Sequence, residues 1–325
     1  MNVAIIGCGL IGRKRAQALG TCTLVACADL DERRSQALAA EFGGAPAGAD
    51  WRSVLQRPDV DVVFVATTHD ALAPITLEAV RAGKHVLVEK PAARRAAELG
   101  AVIAAARQSG ARVRVGFNHR FHAALRKAQE LVRAGALGPL YFVRGCYGHG
   151  GRLGYEQEWR ARPELSGGGE LIDQGAHLID LARLFLGDFA HVQGFAHTYF
   201  WNMPVEDNAF LLLRTAQGQT AFLHASCTEW KNRFSFEITG RDGKIDLAGL
   251  GGSYGVERLT FYRMRPEMGP PETTAWEWPM GDRSWELEVR ELLRDIELGR
   301  EPEPGLRDAQ AVLRVVETIY EDFRR

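Results

Sequence analysis

The chain carries almost no net charge. Forty-one acidic residues against 40 basic ones leave a formal charge of -1 at pH 7. No long basic run disturbs that balance, so neither nucleic acid nor an anionic membrane surface is an expected partner. Cysteine is also scarce. The five residues Cys8, Cys22, Cys27, Cys146 and Cys227 are odd in number, and none forms a CxxC or other metal-ligand pair. A disulfide framework is therefore excluded, a reducing compartment fits, and most of the five are expected in the core. Apolar runs fall short of the ~20 residues that span a bilayer. The first strand begins at Asn2 and leaves no room for a leader peptide, so a cytoplasmic protein is expected. Internal repeats and low-complexity tracts are missing too. With 325 residues, two domains with full hydrophobic cores are the prior expectation.

What is present begins at once. Val3-Ala4-Ile5-Ile6 is a short apolar strand that runs into Gly7-Cys8-Gly9-Leu10-Ile11-Gly12, a GxGxxG turn, and then into a helical stretch to Leu19. Gly7 allows the tight turn, Gly9 lets backbone approach a pyrophosphate, and Gly12 lets the helix pack closely on the strand. The amides of Leu10 and Ile11 then point at the phosphates. A second apolar strand, Leu24 to Ala28, ends in Asp29, at the spacing where an acidic residue binds the adenosine ribose. Its carboxylate accepts from a 2'-hydroxyl and repels a 2'-phosphate, which favours NAD over NADP. Arg33 and Arg34 follow and are expected to face solvent.

The first third alternates strand and helix: helix Glu32 to Phe42, strand Val62 to Ala66, helix Leu72 to Ala82, strand His85 to Val88, helix Arg94 to Ser109 and strand Arg112 to Gly116. The rhythm implies a doubly wound parallel sheet of six strands, a Rossmann domain over residues 1–120. Ligands of such sheets bind beyond the carboxyl ends of the strands. From about residue 121 the pattern changes to helix Ala123 to Ala134 and then strands at Leu140 to Tyr147, Val192 to Thr198, Ala209 to Arg214, Thr220 to Cys227, Phe234 to Thr239 and Arg258 to Tyr262. This is an α+β domain, residues 121–325, with an open, largely antiparallel sheet. Arg241 to Lys244 is a hairpin turn. Glu170 to Leu186 reads as a helix and Met264 to Met280, rich in proline, as a loop. Two helices, Trp285 to Leu298 and Leu306 to Phe323, close the chain, the last a candidate to pack back on the first domain.

Two segments carry the chemistry. Gly83-Lys84-His85-Val86-Leu87-Val88-Glu89-Lys90-Pro91 is a strand that delivers a lysine to the ligand edge of the sheet. Gly167-Gly168-Gly169-Glu170-Leu171-Ile172-Asp173-Gln174-Gly175-Ala176-His177 places Asp173 and His177 four apart, on one face of a helix, with Asp180 at nearly the same interval beyond. A histidine beside a carboxylate is a general-base arrangement. Taken with AIIGCGLIGRKR and VGFNHRF, these segments resemble the Gfo/Idh/MocA family, named for glucose-fructose oxidoreductase, inositol dehydrogenase and rhizopine catabolism.

The resemblance implies hydride transfer between a carbinol carbon and a nicotinamide. Lys90 polarises the substrate oxygen and contacts the cofactor. His177 takes the hydroxyl proton, and Asp173 orients it and holds a neighbouring hydroxyl. Glu89, Thr67, Thr68, His69, Asn118, Trp159 and Arg160 are implied to border the cofactor, and Arg120 and Tyr147 the substrate. The chain departs from the family pattern after the strand at Val62: the usual later histidine falls at Leu72, so His69 is not assumed to replace it. The implied substrate is a polyhydroxylated ring. Aromatic and cationic residues such as Tyr155, Arg162, Trp201, Trp230 and Lys231 suit a nucleotide-linked amino sugar oxidised at C3. The alternatives are a free-sugar or inositol dehydrogenase, a redox-neutral NAD-dependent glycoside hydrolase, and a dinucleotide sensor. Although Asp180, His149, His191 and His197 add possible ligands to Asp173 and His177, no compact set has zinc spacing, and no metal is expected. Phe210, Leu212, Phe222, Phe234 and Phe236 are expected on the open face of the second sheet, pairing subunits into a homodimer or homotetramer.

Overall fold

The computed structural model describes residues 1–323, which divide into two compact units. The first is Met1–Phe117 with Trp285–Gln310, and the second is Asn118–Ser284 with the chain from Ala311 onward.

The first unit strings β1 (Asn2–Ile6), α1 (Leu10–Gln17), β2 (Thr23–Ala28), α2 (Glu32–Glu41), β3 (Ala47–Gly48), α3 (Trp51–Leu55), β4 (Val62–Val65), α4 (His69–Arg81), β5 (His85–Glu89), α5 (Leu99–Ser109) and β6 (Val113–Gly116). The six strands are parallel in the order β3-β2-β1-β4-β5-β6. Val3, Ile5 and all of β4 are fully buried, as the continuous apolar runs require of strands covered on both faces. The order reverses between β1 and β4, which makes the loops after those strands the natural ligand crevice. The short edge strand β3 and the helix α3 leave no mark in the sequence because segments this short show no periodicity; Asp50 caps α3 by accepting from the Arg52 amide. α4 starts at His69, three residues before the expected Leu72, because Thr68 already has the extended backbone of an N-cap. The expected helix from Arg94 instead opens with a 3-10 turn, Ala96–Glu98, ahead of α5. From Trp285, α9 (Ser284–Leu298) belongs to this unit and adds Val289 and Leu292 to the core around Val3, Leu24 and Phe64.

The second unit holds α6 (Ala123–Arg133), β7 (Leu140–Gly148), α7 (Pro163–Ser166), α8 (Ala176–Leu186), β8 (Phe189–His197), β9 (Asn208–Thr215), β10 (Thr220–Ser226), β11 (Arg233–Gly240), β12 (Gly243–Ala248), β13 (Glu257–Arg263) and β14 (Glu272–Trp278). It also holds most of α10 (Leu306–Phe323). Its eight strands run β14-β13-β12-β11-β7-β10-β9-β8, antiparallel except for the β7–β10 pair. The segment read as a proline-rich loop contains β14, paired only with β13. An edge strand with largely exposed side chains has no apolar alternation to betray it. The turn at Arg241 joins β11 to β12 as a hairpin.

Two further expectations are corrected. Phe234 and Phe236 do not lie on the open face; they alternate inward and are buried, Phe236 against Phe185 of α8. Phe210, Leu212 and Phe222 remain outward, Phe222 50% exposed, and Phe195 of β8, 78% exposed, joins them. And Glu170 to Leu186 is not one α-helix. Leu171–Gly175 forms a π turn and only then does α8 begin, so Asp173 sits in a widened turn of the kind that recurs at functional sites.

Candidate active site

In the first unit the glycine turn is built as its spacing demands. Gly7 has φ +93°, and a Cβ there would lie 2.4 Å from the Ala66 carbonyl oxygen. A Cβ at Gly12 would lie 2.0 Å from the Gly7 oxygen. Neither position accepts a side chain. At Gly9, by contrast, the nearest atom to such a Cβ is Arg34 Nη1 at 4.0 Å, leaving a backbone surface that a pyrophosphate can approach. No side chain caps α1 at Gly9, so the first-turn amides of Leu10, Ile11 and Gly12 present the helix's positive end to an anion. Asp29 stands at the end of β2, its Oδ2 accepting from the Cys8 amide at 2.7 Å and its Oδ1 from the Asp31 amide at 2.9 Å. Those bonds fix the carboxylate beside the turn. A cradle without Cβ atoms, a helix N-terminus and an anchored acid together fit an adenosine dinucleotide.

Thr67, Thr68 and His69 follow β4, the Thr68 hydroxyl donating to Asp70 Oδ1 at 2.6 Å and His69 buried. Glu89 ends β5 and Lys90 follows it. Glu89 is turned into the interior, where Arg15 Nε donates to its Oε1 at 2.6 Å. Arg15 is fully buried, donates from Nη1 to Glu288 Oε2 at 2.6 Å, and lies over the Trp285 ring at 4.4 Å. Glu89 therefore serves a buried Glu-Arg-Glu relay next to the lysine. Burial, with the Glu89 charge adding to it and Arg15 opposing, pushes the Glu288 carboxyl up to about 7.

The second unit gathers the other predicted residues. The glycine run is obligatory: Gly167 ends α7 with φ +82°, a Cβ at Gly168 would meet the Tyr320 hydroxyl at 1.9 Å, and one at Gly169 the Glu206 carbonyl oxygen at 2.0 Å. Glu206 is buried and accepts from the amides of Gly169 and Leu171 and from the Tyr320 hydroxyl. It thus pins the start of the π turn. Asp173 follows in that turn, with Arg160 Nε donating to its Oδ2 at 2.8 Å; the Arg160 guanidinium also lies 4.6 Å over the Trp159 ring. Burial alone would lower Arg160, but Asp173 and its neighbours raise it above its ordinary value. His177, in the first turn of α8, is buried and stacks on His119, ring centroids 3.8 Å apart at 28°.

Tyr147 stands edge-on to both histidines, 4.9 Å from His119 and 6.0 Å from His177. Burial, reinforced by Tyr254, Asp173 and Glu170, pushes its phenol well above the usual range and keeps it protonated. Asn118 donates to Ser284 Oγ at 2.8 Å, and Arg120 makes a bidentate pair with Asp180 at 2.7 and 2.5 Å. Asp180 is thereby occupied as a structural partner rather than as a third member of the Asp-His series. Sequence reasoning missed three members of this cluster. His119 was in view within Asn118-His119-Arg120, but its stacking partner is 58 positions away. Glu170 accepts from the Tyr155 hydroxyl at 2.7 Å. Glu206 has no motif around it.

Comparison with known proteins matches residues 1–117 to "Oxidoreductase family, NAD-binding Rossmann fold" and residues 125–246 to "GFO/IDH/MocA C-terminal domain". Levoglucosan dehydrogenase of Pseudarthrobacter phenanthrenivorans is 27% identical over 283 residues, covering 75% of this chain and 73% of its own length. Inositol 2-dehydrogenase of Acidothermus cellulolyticus is 28% identical over 333 residues, covering 100% and 93%. Among solved structures, an oxidoreductase domain protein from Kribbella flavida is similar with a TM-score of 0.88 at 28% identity, over 99% of this chain and 96% of that one. Among the described residues no helix is long and apolar enough to cross a membrane.

Proposed function

Because the chain belongs to the Gfo/Idh/MocA family of NAD-binding oxidoreductases, we propose that it oxidises a secondary ring hydroxyl of a sugar-type substrate, best assigned as C3 of a nucleotide-linked amino sugar. One observation carries the reading: His177, a candidate base, packs against the rings of His119 and Tyr147, four residues after an aspartate that accepts from Arg160. The 1–120 region takes the dinucleotide role and the 121–325 region the substrate and oligomer role.

NAD, when bound, supplies the hydride acceptor. The Gly7 to Gly12 turn holds its pyrophosphate, Asp29 the adenosine ribose, and Thr67, Thr68, His69, Glu89, Asn118, Trp159 and Arg160 are assigned to its surroundings. His177 would take the proton of the reacting hydroxyl. By the family resemblance, Lys90 is the group that would donate to the substrate oxygen and lower the cost of a developing alkoxide. Asp173, anchored through one oxygen by Arg160, orients the reacting ring through a neighbouring hydroxyl. The protonated Tyr147 phenol and Arg120 border the ring. A base so positioned contributes ~100- to 10,000-fold.

Relatives named for levoglucosan and inositol support a ring hydroxyl and also support the second reading, a free sugar or cyclitol. The test is formation of reduced nicotinamide, followed by absorbance, with NAD and nucleotide amino sugars, free sugars, anhydrosugars and inositols. Turnover confined to free rings removes the nucleotide from the substrate. Silence with all of them, while calorimetry shows NAD binding, overturns the dehydrogenase reading in favour of redox-neutral glycoside cleavage or sensing.

A further inference from the structure

On the outward face of the second sheet, opposite the face that carries Tyr147 and Phe234, three potential metal ligands converge from separate elements. They are Cys146 on β7, His224 on β10 and Glu229 in the turn beyond β10. Cys146 and His224 are directly opposed in the parallel pairing of β7 with β10. Cys146 Sγ lies 3.8 Å from His224 Nδ1 and 3.9 Å from Glu229 Oε1, and His224 Nδ1 lies 3.7 Å from the same carboxylate oxygen. For zinc with its ordinary bond lengths, the edges of a tetrahedron are about 3.6 Å to sulfur and about 3.4 Å between nitrogen and oxygen. The observed triangle exceeds those edges by about 0.2 to 0.3 Å, within one small side-chain adjustment of closure around an ion.

The surroundings are arranged as a metal's outer shell. His224 Nε2 lies 2.9 Å from Asn208 Oδ1. The Asn208 amide nitrogen in turn donates to Asp207 Oδ1 at 3.0 Å and Thr228 Oγ1 at 2.8 Å, which settles which end of the amide faces the imidazole. The ring proton is therefore on Nε2, and the lone pair of Nδ1 points at the sulfur and the carboxylate. That is the tautomer a metal needs, fixed by a hydrogen bond on the far ring nitrogen of the kind metal-binding histidines use. Phe210 stacks on the same imidazole at 4.2 Å and 9° and holds its plane. Gly148 makes room for the third ligand, since a Cβ there would fall 2.6 Å from Glu229 Cγ. Arg233 opposes a cation at this place; a thiolate and a carboxylate outweigh it, two negative charges to one positive.

We infer that Cys146, His224 and Glu229 form a three-ligand site for a borderline divalent metal of the zinc class, with the fourth position left to water or another donor. A sulfur and an imidazole nitrogen select against magnesium and calcium. Binding replaces the Cys146 S–H bond by a sulfur–metal bond and releases the thiol proton to solvent; no oxidation state changes. The ion would tie the turn that carries Trp230 and Lys231 to the sheet, so its role is structural and independent of the hydride chemistry.

The test uses the whole chain, stripped with a chelator and titrated with Co2+ as a spectroscopic probe and then with Zn2+ as competitor. Expected are one ion per chain, thiolate-to-cobalt charge-transfer absorption displaced by Zn2+, and a rise in thermal midpoint with Zn2+. Cys146→Ser should abolish the charge-transfer band. Glu229→Gln, nearly isosteric and safe for folding, should weaken binding at least tenfold, and Asn208→Ala about 10- to 100-fold. NAD affinity and the circular dichroism of each variant report that it is folded. If Cys146→Ser fails that check, the Glu229→Gln result decides. No saturable uptake at micromolar Co2+, or uptake unchanged in Cys146→Ser or Glu229→Gln, overturns the assignment and leaves a hydrogen-bonded cluster.

Discussion

At the scale of the residue, the strongest expectations attach to atoms whose neighbours are now known. His177 is confined by two rings, and Lys90 leaves the end of β5 beside the buried Glu89. Lys90→Ala and His177→Ala are each expected to lower kcat by about 100- to 10,000-fold while NAD still binds, checked by steady-state kinetics beside calorimetry. Undiminished turnover would remove that residue from the mechanism. The Oδ2 of Asp29 already holds the Cys8 amide. Asp29→Ala therefore loosens the glycine turn for either cofactor, and the informative quantity is the ratio. NAD binding should weaken by about tenfold more than NADP binding, the worth of a charge-assisted hydrogen bond to the ribose. Equal losses in the two binding curves would mean that Asp29 does not read the ribose.

At the scale of the element, the site depends on how the glycine run meets the rest of its unit. The widened turn at Leu171–Gly175 begins where Gly169 touches the Glu206 backbone and where Glu206 accepts from the amides of Gly169 and Leu171. Gly169→Ala places a Cβ against main chain that has no rotamer to give. A stability loss of about 1–3 kcal/mol is expected in a denaturant titration, with kcat falling because the turn that bears Asp173 must shift, and with NAD affinity preserved. A variant of wild-type stability and rate would show that the run tolerates the extra atom. Elements with apolar periodicity were readable in advance, and those without it were not. The strands of the first sheet are legible because burial on both faces makes them continuous Val/Ile/Leu runs. β3 is too short, and β14 too exposed, to carry any such pattern. Phe234 and Phe236 illustrate the other failure: alternation tells that a strand has two faces but not which one α8 covers.

At the scale of the whole molecule, two properties emerge that belong to no single segment. The first is the buried relay of Glu89, Arg15 and Glu288, drawn from β5, α1 and α9. Burial first, then the Glu89 charge, raises the Glu288 carboxyl from an ordinary 4.5 to about 7. The folded state thus holds that proton more tightly than the unfolded chain, so the group's contribution to stability is complete below about pH 4.5 and is lost as pH rises through about 7. Relative to Glu288→Gln, which cannot ionise, the wild-type thermal midpoint should fall by several degrees across that window. Parallel profiles for the two proteins would refute the linkage. The second property is the outward apolar face with Phe195, Phe210, Leu212 and Phe222. A contiguous apolar face of this kind is expected to pair subunits, giving a homodimer or dimer-based tetramer by light scattering at micromolar concentration; a monomer there would refute it.

The amino-acid order alone determined the dinucleotide turn, the acid at the end of β2, the alternation that makes a parallel sheet, and the four-residue interval between Asp173 and His177. Each rests on neighbours in the chain, because turn geometry, strand periodicity and helical spacing act over a few residues. Tertiary structure alone decided the rest. It put His119 on His177, Glu206 under the glycine run, Arg15 between two carboxylates, and Cys146 opposite His224 across a parallel strand pair. These contacts join residues separated by tens to hundreds of positions, and no local rule encodes them. They exist because burial leaves each polar group needing a partner, and strand register determines which distant residue is near enough to serve.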